Sequence, residues 1–334
     1  MKRTSLATIL LAAGALAAST LATAQEGFSV EKTPSGGALV KHHGKLITEY
    51  VVDQANKPYL WPIVTPAGVT MTRAYPIQKV EGEQWDHPHH RGIFFGHESI
   101  NGADSWAEKA TFEEQEAKKP GSAKQRLSQL GAQRHVAFTK LQATTAQAEL
   151  VAVTDYLDAT GQVSGQDERR ITFEMLQGNL AIDFDITFTA GTLPVTFADK
   201  KDAGLSIRVP TSMAVDTKQG GHIVNSDGIT DKDAWAKRAK WCDYSGPVQG
   251  QTVGVAIFNH SQSFRFPTSW HVRTYGLFTA NAFGPKSLDK TAEDGAFTLK
   301  PGETVKLRHR FLFHDGDAVS AKVAEACEAY LNEP

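Results

Sequence analysis

The chain of 334 residues contains only two cysteines, Cys242 and Cys327, which lie far apart in sequence. Two cysteines do not make a disulfide scaffold, and without a Cys-x-x-Cys pair a thiolate metal site is disfavoured. An excess of one charge is also missing, since 35 Lys and Arg residues stand against 37 Asp and Glu residues. Without a basic field, nucleic acid and anionic membranes are excluded as partners. Whether the two cysteines pair stays open.

Several enzyme signatures are missing as well. The sequence has no G-x-S-x-G elbow, no G-x-G-x-x-G loop and no P-loop. These absences argue against an esterase-type serine nucleophile and against nucleotide cofactors. No apolar run after residue 24 is long enough to cross a bilayer, so no membrane span is expected.

The N-terminus holds the one long apolar stretch. Lys2 and Arg3 precede LATILLAAGALAA, and a small-x-small site follows at residues 22–24. This order is typical of a secretory signal peptide, with cleavage expected before Gln25. We therefore expect a signal peptide at residues 1–24, export to a periplasm, and a single β-sandwich domain at residues 25–334.

The middle of the chain alternates apolar and polar residues with a period of two. The segments RRITFEML, NLAIDFDITFTA and TVKLRHRFLFH all show this pattern, and turn signals such as LQGN and LKPGE separate them. The pattern predicts an all-β fold, a large antiparallel β-sandwich. Residues 75–119 and 200–247 lack the period and are predicted to be long functional loops.

One helix is predicted at the C-terminus, over DAVSAKVAEACEAYLNE. Asp317 is placed to cap its start, and an apolar stripe runs from Val319 through Val323 to Tyr330. Cys327 falls on that stripe, which favours a small buried hydrophobic role for its thiol.

The segment WDHPHHRG at residues 85–92 places three of the twelve histidines within four positions. Because a residue before proline is biased to the extended region, Pro88 predicts an extended His87. In an extended segment His87 and His89 project to one side and His90 to the other. The spacing matches no standard zinc signature, so a divalent metal cofactor is a minor alternative.

The same segment supplies groups for acid-base chemistry. Asp86 can fix a histidine tautomer, and Arg91 can hold a carboxylate or a developing oxyanion. His97 follows at the far end of the short strand IFFG and is a further candidate. The alternative is that these side chains only stabilise a long loop through hydrogen bonds and ion pairs.

A second candidate group combines Arg208 with WCDYSG. Arg208 lies in an otherwise apolar strand, where a charge is costly unless it is paired or faces a pocket. Asp243 is its candidate partner, and Tyr244 beside it is a candidate for substrate binding. A buried Arg208–Asp243 bridge without a ligand is the alternative.

A third group lies in WHVRTYGLFTANAFG. Alternation places His271, Arg273 and Tyr275 on one strand face, opposite Trp270. With Asn281 they offer acid-base, anion-binding and hydrogen-bonding groups, so this face is predicted to be a site.

Three of the six tryptophans adjoin these polar motifs: Trp85, Trp241 and Trp270. Aromatic faces beside carboxylates, amides and guanidiniums suit a carbohydrate, which combines C–H faces with hydroxyl groups. Trp85 and Trp270 are therefore predicted to form stacking walls for a small-molecule or glycan substrate.

The ordered motifs, from DHPHHRGIFFGH and NGADSW through GLSIRV, WCDYSG and VGVAIFNH to WHVRTYGL, NAFG and RHRFLFHDG, resemble a family of exported bacterial proteins of unknown function. That family is often labelled methane-oxygenase-like, or PmoA-like, and the resemblance covers nearly all of the chain after the signal peptide. The resemblance implies a β-sandwich of the kind found in carbohydrate-processing enzymes, similar to the mutarotase-type supersandwich. The oxygenase label conflicts with the lack of membrane helices, and metal-dependent oxygenation is kept as a minor alternative.

These features together predict a periplasmic carbohydrate-active enzyme, either an epimerase, a lyase or a hydrolase, that uses histidine-centred acid-base catalysis. The candidate proton-transfer groups are His87, His89, His90 and His271, and oxygen binding is assigned to Arg91 and Arg273. A non-catalytic sugar- or glycan-binding module is the alternative. Both hypotheses require the loop at 75–119 to meet the strand at 270–275.

Overall fold

A computed structural model describes residues 26–334, so the predicted signal peptide lies outside the described residues. The strands, in chain order, are β1 (Phe28–Lys32), β2 (Ala38–His42), β3 (Lys45–Val51), β4 (Tyr59–Trp61), β5 (Ile93–His97), β6 (Ala132–Ala143), β7 (Gln147–Leu157), β8 (Val163–Leu176), β9 (Asn179–Ala190), β10 (Val195–Phe197), β11 (Ala203–Arg208), β12 (His222–Asn225), β13 (Trp241–Val248), β14 (Gln251–Asn259), β15 (Ser269–Val272), β16 (Leu277–Asn281), β17 (Phe297–Leu299) and β18 (Thr304–Asp315). The α-helices are α1 (Lys109–Lys118), α2 (Lys124–Leu127), α3 (Pro285–Leu288) and α4 (Val323–Leu331).

Two eight-stranded antiparallel sheets pack face to face. Sheet one has the order β1-β2-β3-β4-β5-β11-β16-β15, and sheet two has the order β12-β13-β14-β18-β9-β8-β7-β6. A single apolar cluster between them contains Leu60 and Ile207 from sheet one together with Ile171 and Phe311 from sheet two. The predicted antiparallel β-sandwich is confirmed.

Period-two alternation accounts for the inner face of sheet two. The apolar residues on one face of β9 are all buried, as predicted: Leu180, Ile182, Phe184, Ile186 and Phe188. Each such side chain contributes roughly 1.5–3 kcal/mol when it is fully buried. The alternation therefore fixes which face of the strand meets sheet one, because a one-residue slip would turn the apolar set towards solvent.

Helix α4 covers part of the outer face of sheet two. Leu312 and Phe258 of this face pack with Cys327 and Tyr330 of the helix. Cys327 is thus a buried hydrophobic residue, as predicted. Cys242 lies in the main core instead, and both thiols are free.

The helix begins later than the sequence predicts. It starts at Val323, and the Asp317 carboxylate accepts a hydrogen bond from the Ser320 amide (2.8 Å) in a preceding turn. Val319, which was predicted to lie on the apolar stripe, is 86% exposed. The prediction was wrong for these first residues, because the turn stabilised by Asp317 ends before the helix starts.

The two predicted long loops differ in outcome. In the first, residues 75–92 are irregular, as expected, but the remainder of the predicted loop 75–119 contains β5 and helix α1. The segment 200–247 is not one loop, because it contains β11, β12 and the start of β13. Polar residues that obscured the period there, such as Asp243, are buried within strands and paired.

The outer face of sheet one carries a smaller apolar cluster that includes Phe94, Trp106 and Leu277. The loop before β5, the end of β11 and the turn between β15 and β16 meet at one end of this sheet. There the Arg208 amide donates to the Gly92 carbonyl (3.0 Å), and Arg208 is paired with Leu277 in the adjacent strand. The sheet order therefore brings together motifs that are remote in sequence.

A buried acid-base pair lies within sheet two. Asp243 Oδ2 is 2.7 Å from His314 Nε2, and neither side chain is exposed. The ring fits beside β14 only because residue 254 is glycine, since a Cβ there would overlap the His314 ring. Burial raises the pKa of Asp243. Burial alone would lower the pKa of His314, but the hydrogen bond to Asp243 and the charge of Asp243 together raise it. The folded pair therefore holds its proton more tightly than the unfolded chain.

Most other buried histidines are held neutral. His309 is fully buried, accepts a hydrogen bond from the Asn259 amide at Nε2 (3.3 Å), and has a pKa lowered by burial to about 3. Burial lowers the pKa of eight histidines in residues 26–334: His42, His89, His90, His97, His135, His260, His271 and His309. The fold thus opposes protonation of these eight histidines.

The first prediction concerns the buried pair. Replacement His314→Ala leaves Asp243 buried without its partner, and the expected loss in the free energy of unfolding is on the order of 3–5 kcal/mol. Urea unfolding near neutral pH measures it. The control Lys41→Ala breaks the exposed pair with Glu31 (2.8 Å) and should cost at most about 1 kcal/mol. Equally small losses in both variants would contradict the assignment.

The second prediction concerns pH. Because the folded pKa of His309 is about 3 and the unfolded value is near 6.5, the unfolded chain binds the proton first as the pH falls. Stability is therefore lost below about pH 6.5, by about 1 kcal/mol for this residue between pH 7.5 and 5.5. Urea unfolding of His309→Asn should show a correspondingly smaller loss over that range than the parent chain. The same loss in both proteins would refute this account.

Candidate active site

The histidine-rich segment forms a tight turn. The His90 amide donates to the His87 carbonyl (3.0 Å), with Pro88 second in the turn, and His87 has a left-handed backbone with φ of 45°. The rings of His87 and His90 stack at 4.8 Å, and His89 lies edge-on 5.8 Å from His87 and 4.4 Å from His90. The prediction of an extended segment, with His90 turned away, is wrong, because the turn brings all three rings together.

Asp86 holds this turn to the sheet. One carboxylate oxygen accepts hydrogen bonds from Arg208 (2.9 Å) and from Arg73, and the other lies 2.7 Å from His87 Nδ1. Burial alone would raise the pKa of Asp86, but the His87 hydrogen bond and the Arg208 charge hold it well below its usual range. The predicted Arg208–Asp243 bridge is wrong, since Asp86 is the carboxylate that pairs with Arg208.

Arg208 also fixes a histidine tautomer. Its Nη1 lies 3.2 Å from His90 Nδ1, and its guanidinium sits 4.8 Å from the centre of the Tyr275 ring. A guanidinium can only donate, so His90 accepts at Nδ1 and carries its proton at Nε2 when it is neutral. Burial, together with the Arg73 charge, lowers the pKa of Arg208 to about 10.

His271 has the opposite tautomer. Its Nδ1 lies 2.6 Å from the Lys201 carbonyl oxygen, which can only accept, so Nδ1 carries the proton and Nε2 has the lone pair. Burial lowers the pKa of His271 to about 4. Its ring contacts Trp235 at 4.8 Å and stacks with Trp106 at 6.2 Å. At neutral pH this side chain is therefore a neutral proton acceptor.

Four histidines share one arrangement of their ring nitrogens. In each, Nδ1 bonds to the protein: His87 to Asp86, His89 to Thr111, His90 to Arg208 and His271 to Lys201. No residue within 26–334 hydrogen-bonds to Nε2 of any of the four. Burial lowers the pKa of His89 and His90 well below the usual value. The site thus offers several oriented imidazoles whose second nitrogen is available to a ligand.

A closed circuit of side-chain contacts joins the loop to the strand. Its seven members, each 4.7–6.2 Å from the next, are His87, His90, Trp106, His271, Trp235, Arg273 and Tyr275, which returns to His87. We call this set the site ring. His90, Trp106 and His271 are buried and form its floor, whereas the other four are partly exposed. The two segments that were required to meet do meet.

A second charged cluster supports the floor. Arg91 donates from Nε and Nη2 to the two oxygens of Glu108, each at 2.8 Å, and buried Lys57 donates to Glu108 (3.3 Å) and to the Trp106 carbonyl (2.8 Å). Burial alone would raise the pKa of Glu108, but the Lys57 charge and the Arg91 hydrogen bond lower it. Arg91 is therefore engaged in positioning the Trp106 loop, which does not fit the predicted role in substrate binding.

Two predicted stacking walls are not in the site ring. Trp270 is fully buried, and its indole donates to the Ala239 carbonyl (3.1 Å), so the prediction that it stacks on a ligand is wrong. It lies on the inner face of sheet one, opposite His271. Trp85 is 53% exposed, but its ring packs below Lys79 (5.0 Å), and no described contact joins it to the site ring.

Two further candidates lie elsewhere in the fold. His97 is buried between Phe197 and Phe283 at the other end of β5, and its Nδ1 accepts a hydrogen bond from the Ser99 amide (2.9 Å). No described contact joins it to the histidine turn. Asp243, paired with His314, lies in sheet two. Their predicted roles at the site do not fit these positions.

Tyr244 and Asn281 support the site ring from outside it. The Tyr244 hydroxyl donates to the Thr274 carbonyl (2.9 Å) in the turn that carries Arg273. The Asn281 amide donates to the Lys201 carbonyl (2.8 Å), which is the group that orients His271. Both are positioning residues in this structure.

The sequence did not identify several important residues. Arg73, Lys57, Glu108, Thr111 and Trp235 follow no period and no known motif. Trp106 had one signal, its place in NGADSW. Among residues 26–334 no group of three or more His, Cys, Asp or Glu side chains is arranged to hold a metal ion. No helix in the same residues combines the length and apolarity needed to span a bilayer.

Solved structures offer only distant likenesses. A galactose mutarotase related enzyme from Lactobacillus acidophilus matches with 11% identity and a TM-score of 0.35, covering 86% of this chain and 97% of that chain. A glycoside hydrolase family 97 enzyme from Pseudoalteromonas sp. strain K8 matches with 8% identity and a TM-score of 0.35, covering 85% of this chain and 34% of that one. A 4-alpha-glucanotransferase from Thermococcus litoralis matches with 9% identity and a TM-score of 0.31, covering 87% and 40%. None of these likenesses is close enough to transfer a substrate or a reaction.

No curated protein matches the sequence. The model of one family matches most of the chain, residues 38–328, and it is described as a family of unknown function (DUF6807). That description carries no oxygenase activity. The chain belongs to this family of unknown function.

Proposed function

We propose that this chain is an exported carbohydrate-active enzyme that moves protons on its substrate through histidine. The observation that carries the proposal is the set of four histidines with Nδ1 tied to the protein and Nε2 unpartnered, three of them members of the site ring. Imidazoles that are oriented at one nitrogen and free at the other are arranged as general acids and bases.

His87 and His90 can have different roles in proton transfer, because their free nitrogens differ. Asp86 accepts the Nδ1 proton of His87, so Nε2 of neutral His87 holds a lone pair that can take a proton. Neutral His90 carries its proton at Nε2 because Arg208 donates to Nδ1. One ring thus accepts a proton and returns it as an imidazolium, while its stacked neighbour donates a hydrogen bond to a substrate oxygen, which serves an epimerase, a lyase or a hydrolase equally well. Oriented general acid-base groups contribute about 10²–10⁴-fold to a rate.

The surroundings of these imidazoles favour a sugar. Trp235 and Tyr275 are partly exposed members of the site ring and present aromatic faces beside hydrogen-bonding groups. Sugar C–H faces stack on such rings while the hydroxyls bind polar side chains. The exposed rim also leaves the site accessible to a glycan chain. Export is supported by the sequence of residues 1–24.

The third prediction tests this proposal. His87→Asn and His271→Asn each remove one free Nε2, and turnover of an active glycan should fall by about 10²–10⁴-fold while affinity for it changes little. Activity found in a screen of glycans and oxidised sugars, followed by single-turnover kinetics and calorimetry, measures both quantities. His222→Asn is the matched control, since His222 pairs with Asp231 (3.2 Å) outside the site ring. It should leave both unchanged.

A sugar-binding module without catalysis predicts a different result. Such a protein has no turnover to lose, and the His87 and His271 variants would only weaken binding. Glycan binding without any chemical conversion of a bound sugar would therefore reject the enzyme and favour a binding module. Binding of no glycan at all would reject both.

A further inference from the structure

The surroundings of the site ring carry an excess of positive charge. Among residues 26–334, only two carboxylates, Asp86 and Glu108, form ion pairs with the cationic side chains in or beside the site ring. Those cationic side chains are five: Arg73, Arg208, Arg273, Lys57 and Arg91. The neighbouring Lys201 and Asp202 pair with each other (2.8 Å). The chain as a whole has a formal net charge of −2. The positive excess is thus a local property of the site.

Arg273 is the cation without a partner. Its side chain makes no hydrogen bond or ion pair with any residue in 26–334. Its guanidinium carbon lies 4.7 Å from the Trp235 ring centre and 5.3 Å from that of Tyr275. Those two rings contact His271 and His87 respectively. Arg273 is therefore held by two aromatic faces between the candidate proton-transfer groups, with its N–H donors available.

We propose that the substrate is a sugar acid, such as a uronic acid residue of a glycan, whose carboxylate binds Arg273. This inference rests on the proposed function. A planar guanidinium presents paired donors that match the two oxygens of a carboxylate, and stacking on two rings restricts its rotation beforehand. The other cations are already engaged by Asp86 and Glu108 and supply the surrounding positive potential.

A carboxylate also makes histidine chemistry at carbon feasible. The hydrogen at C5 of a uronate lies next to the carboxyl carbon, so a base can remove it while the C–H electron pair moves into the carboxylate as an enediolate. Arg273 stabilises that added charge. Return of a proton to the other face of C5 gives the epimer. Alternatively the electron pair forms a C4–C5 double bond, the C4–O4 bond breaks, and the leaving oxygen takes a proton from Nε2 of the imidazolium formed when a histidine removed the C5 proton.

The chemistry selects among the three predicted reactions. Hydrolysis of a glycosidic bond needs no acidic C–H and no carboxylate on the substrate. Epimerisation and elimination both need one group that takes the C5 proton and a cation that holds the carboxylate. The neutral imidazoles and Arg273 supply these, so epimerase and lyase are favoured over hydrolase.

The test compares sugar acids with their neutral parents. Calorimetry on the purified chain measures the binding of glucuronate, galacturonate and mannuronate beside glucose, galactose and mannose. At least one acid should bind about tenfold or more tightly than its neutral parent, the factor that one charge-assisted hydrogen bond supplies. Arg273→Gln should remove that preference, so that the acid binds no more tightly than its neutral parent to the same variant. Arg273→Lys should restore part of the preference.

Arg134→Gln is the matched control, because Arg134 is exposed and pairs with Asp155 (2.7 Å) on sheet two. It should leave the preference intact. A second measurement uses a uronate glycan linked through O4, and follows deuterium at C5 by NMR in heavy water and the ultraviolet absorbance of an unsaturated product. One of these signals should appear for a bound uronate and be lost in His87→Asn.

The possible outcomes distinguish a failure of the sugar-acid inference from a failure of the proposed carbohydrate function. Equal binding of acid and neutral sugars, or a preference for the acid that persists in Arg273→Gln, overturns the sugar-acid inference. Neither result contradicts the proposal of a carbohydrate-active enzyme. Acetate bound as tightly as a uronate, in an Arg273-dependent way, supports the carboxylate contact but contradicts a carbohydrate function. Binding of neither sugar class counts against both.

Discussion

A carboxylate held between two buried guanidiniums is the interaction on which the site depends. Asp86 accepts hydrogen bonds from Arg73 and Arg208, and the side chains of both arginines are almost entirely buried. Two buried cations without a counter-charge are costly, so loss of the carboxylate would destabilise both the strand and the loop. The same carboxylate orients His87, and Arg208 orients His90. Fold stability and histidine orientation thus share one group.

Burial and neighbouring cations act in the same direction on the histidines of the floor. Both disfavour the imidazolium, and the pKa of His90 is lowered well below its usual value while that of His271 is lowered to about 4. At the free nitrogen a neutral ring either accepts a proton or donates a hydrogen bond, according to its tautomer, and here backbone and guanidinium partners select opposite tautomers. Proton transfer between substrate and protein then needs no prior change in the ionisation of the floor.

The architecture was more predictable from sequence than the pairing of residues within it. Alternation in β9 predicted its buried face, because a half-buried strand has a fixed period. The partner of Arg208 could not be predicted, since the order β5-β11-β16 places Asp86 next to it through contacts that no local period records. Trp270 could have been assigned to the core, because alternation already put it opposite His271. Glu108 and Trp235 left no signal, as their roles arise only from tertiary contact.

The backbone of His87 has a consequence for how this position is constrained. A left-handed conformation at φ of 45° disfavours a branched or bulky side chain by roughly 1 kcal/mol relative to glycine, and the residue before a proline is restricted further. On conformational grounds alone this is a glycine position. It holds a ring that touches His90 and Tyr275 and bonds to Asp86. The backbone conformation at this position therefore favours glycine, whereas the contacts of the site require an imidazole. The sequence has histidine here, so the turn accepts a less favourable backbone conformation.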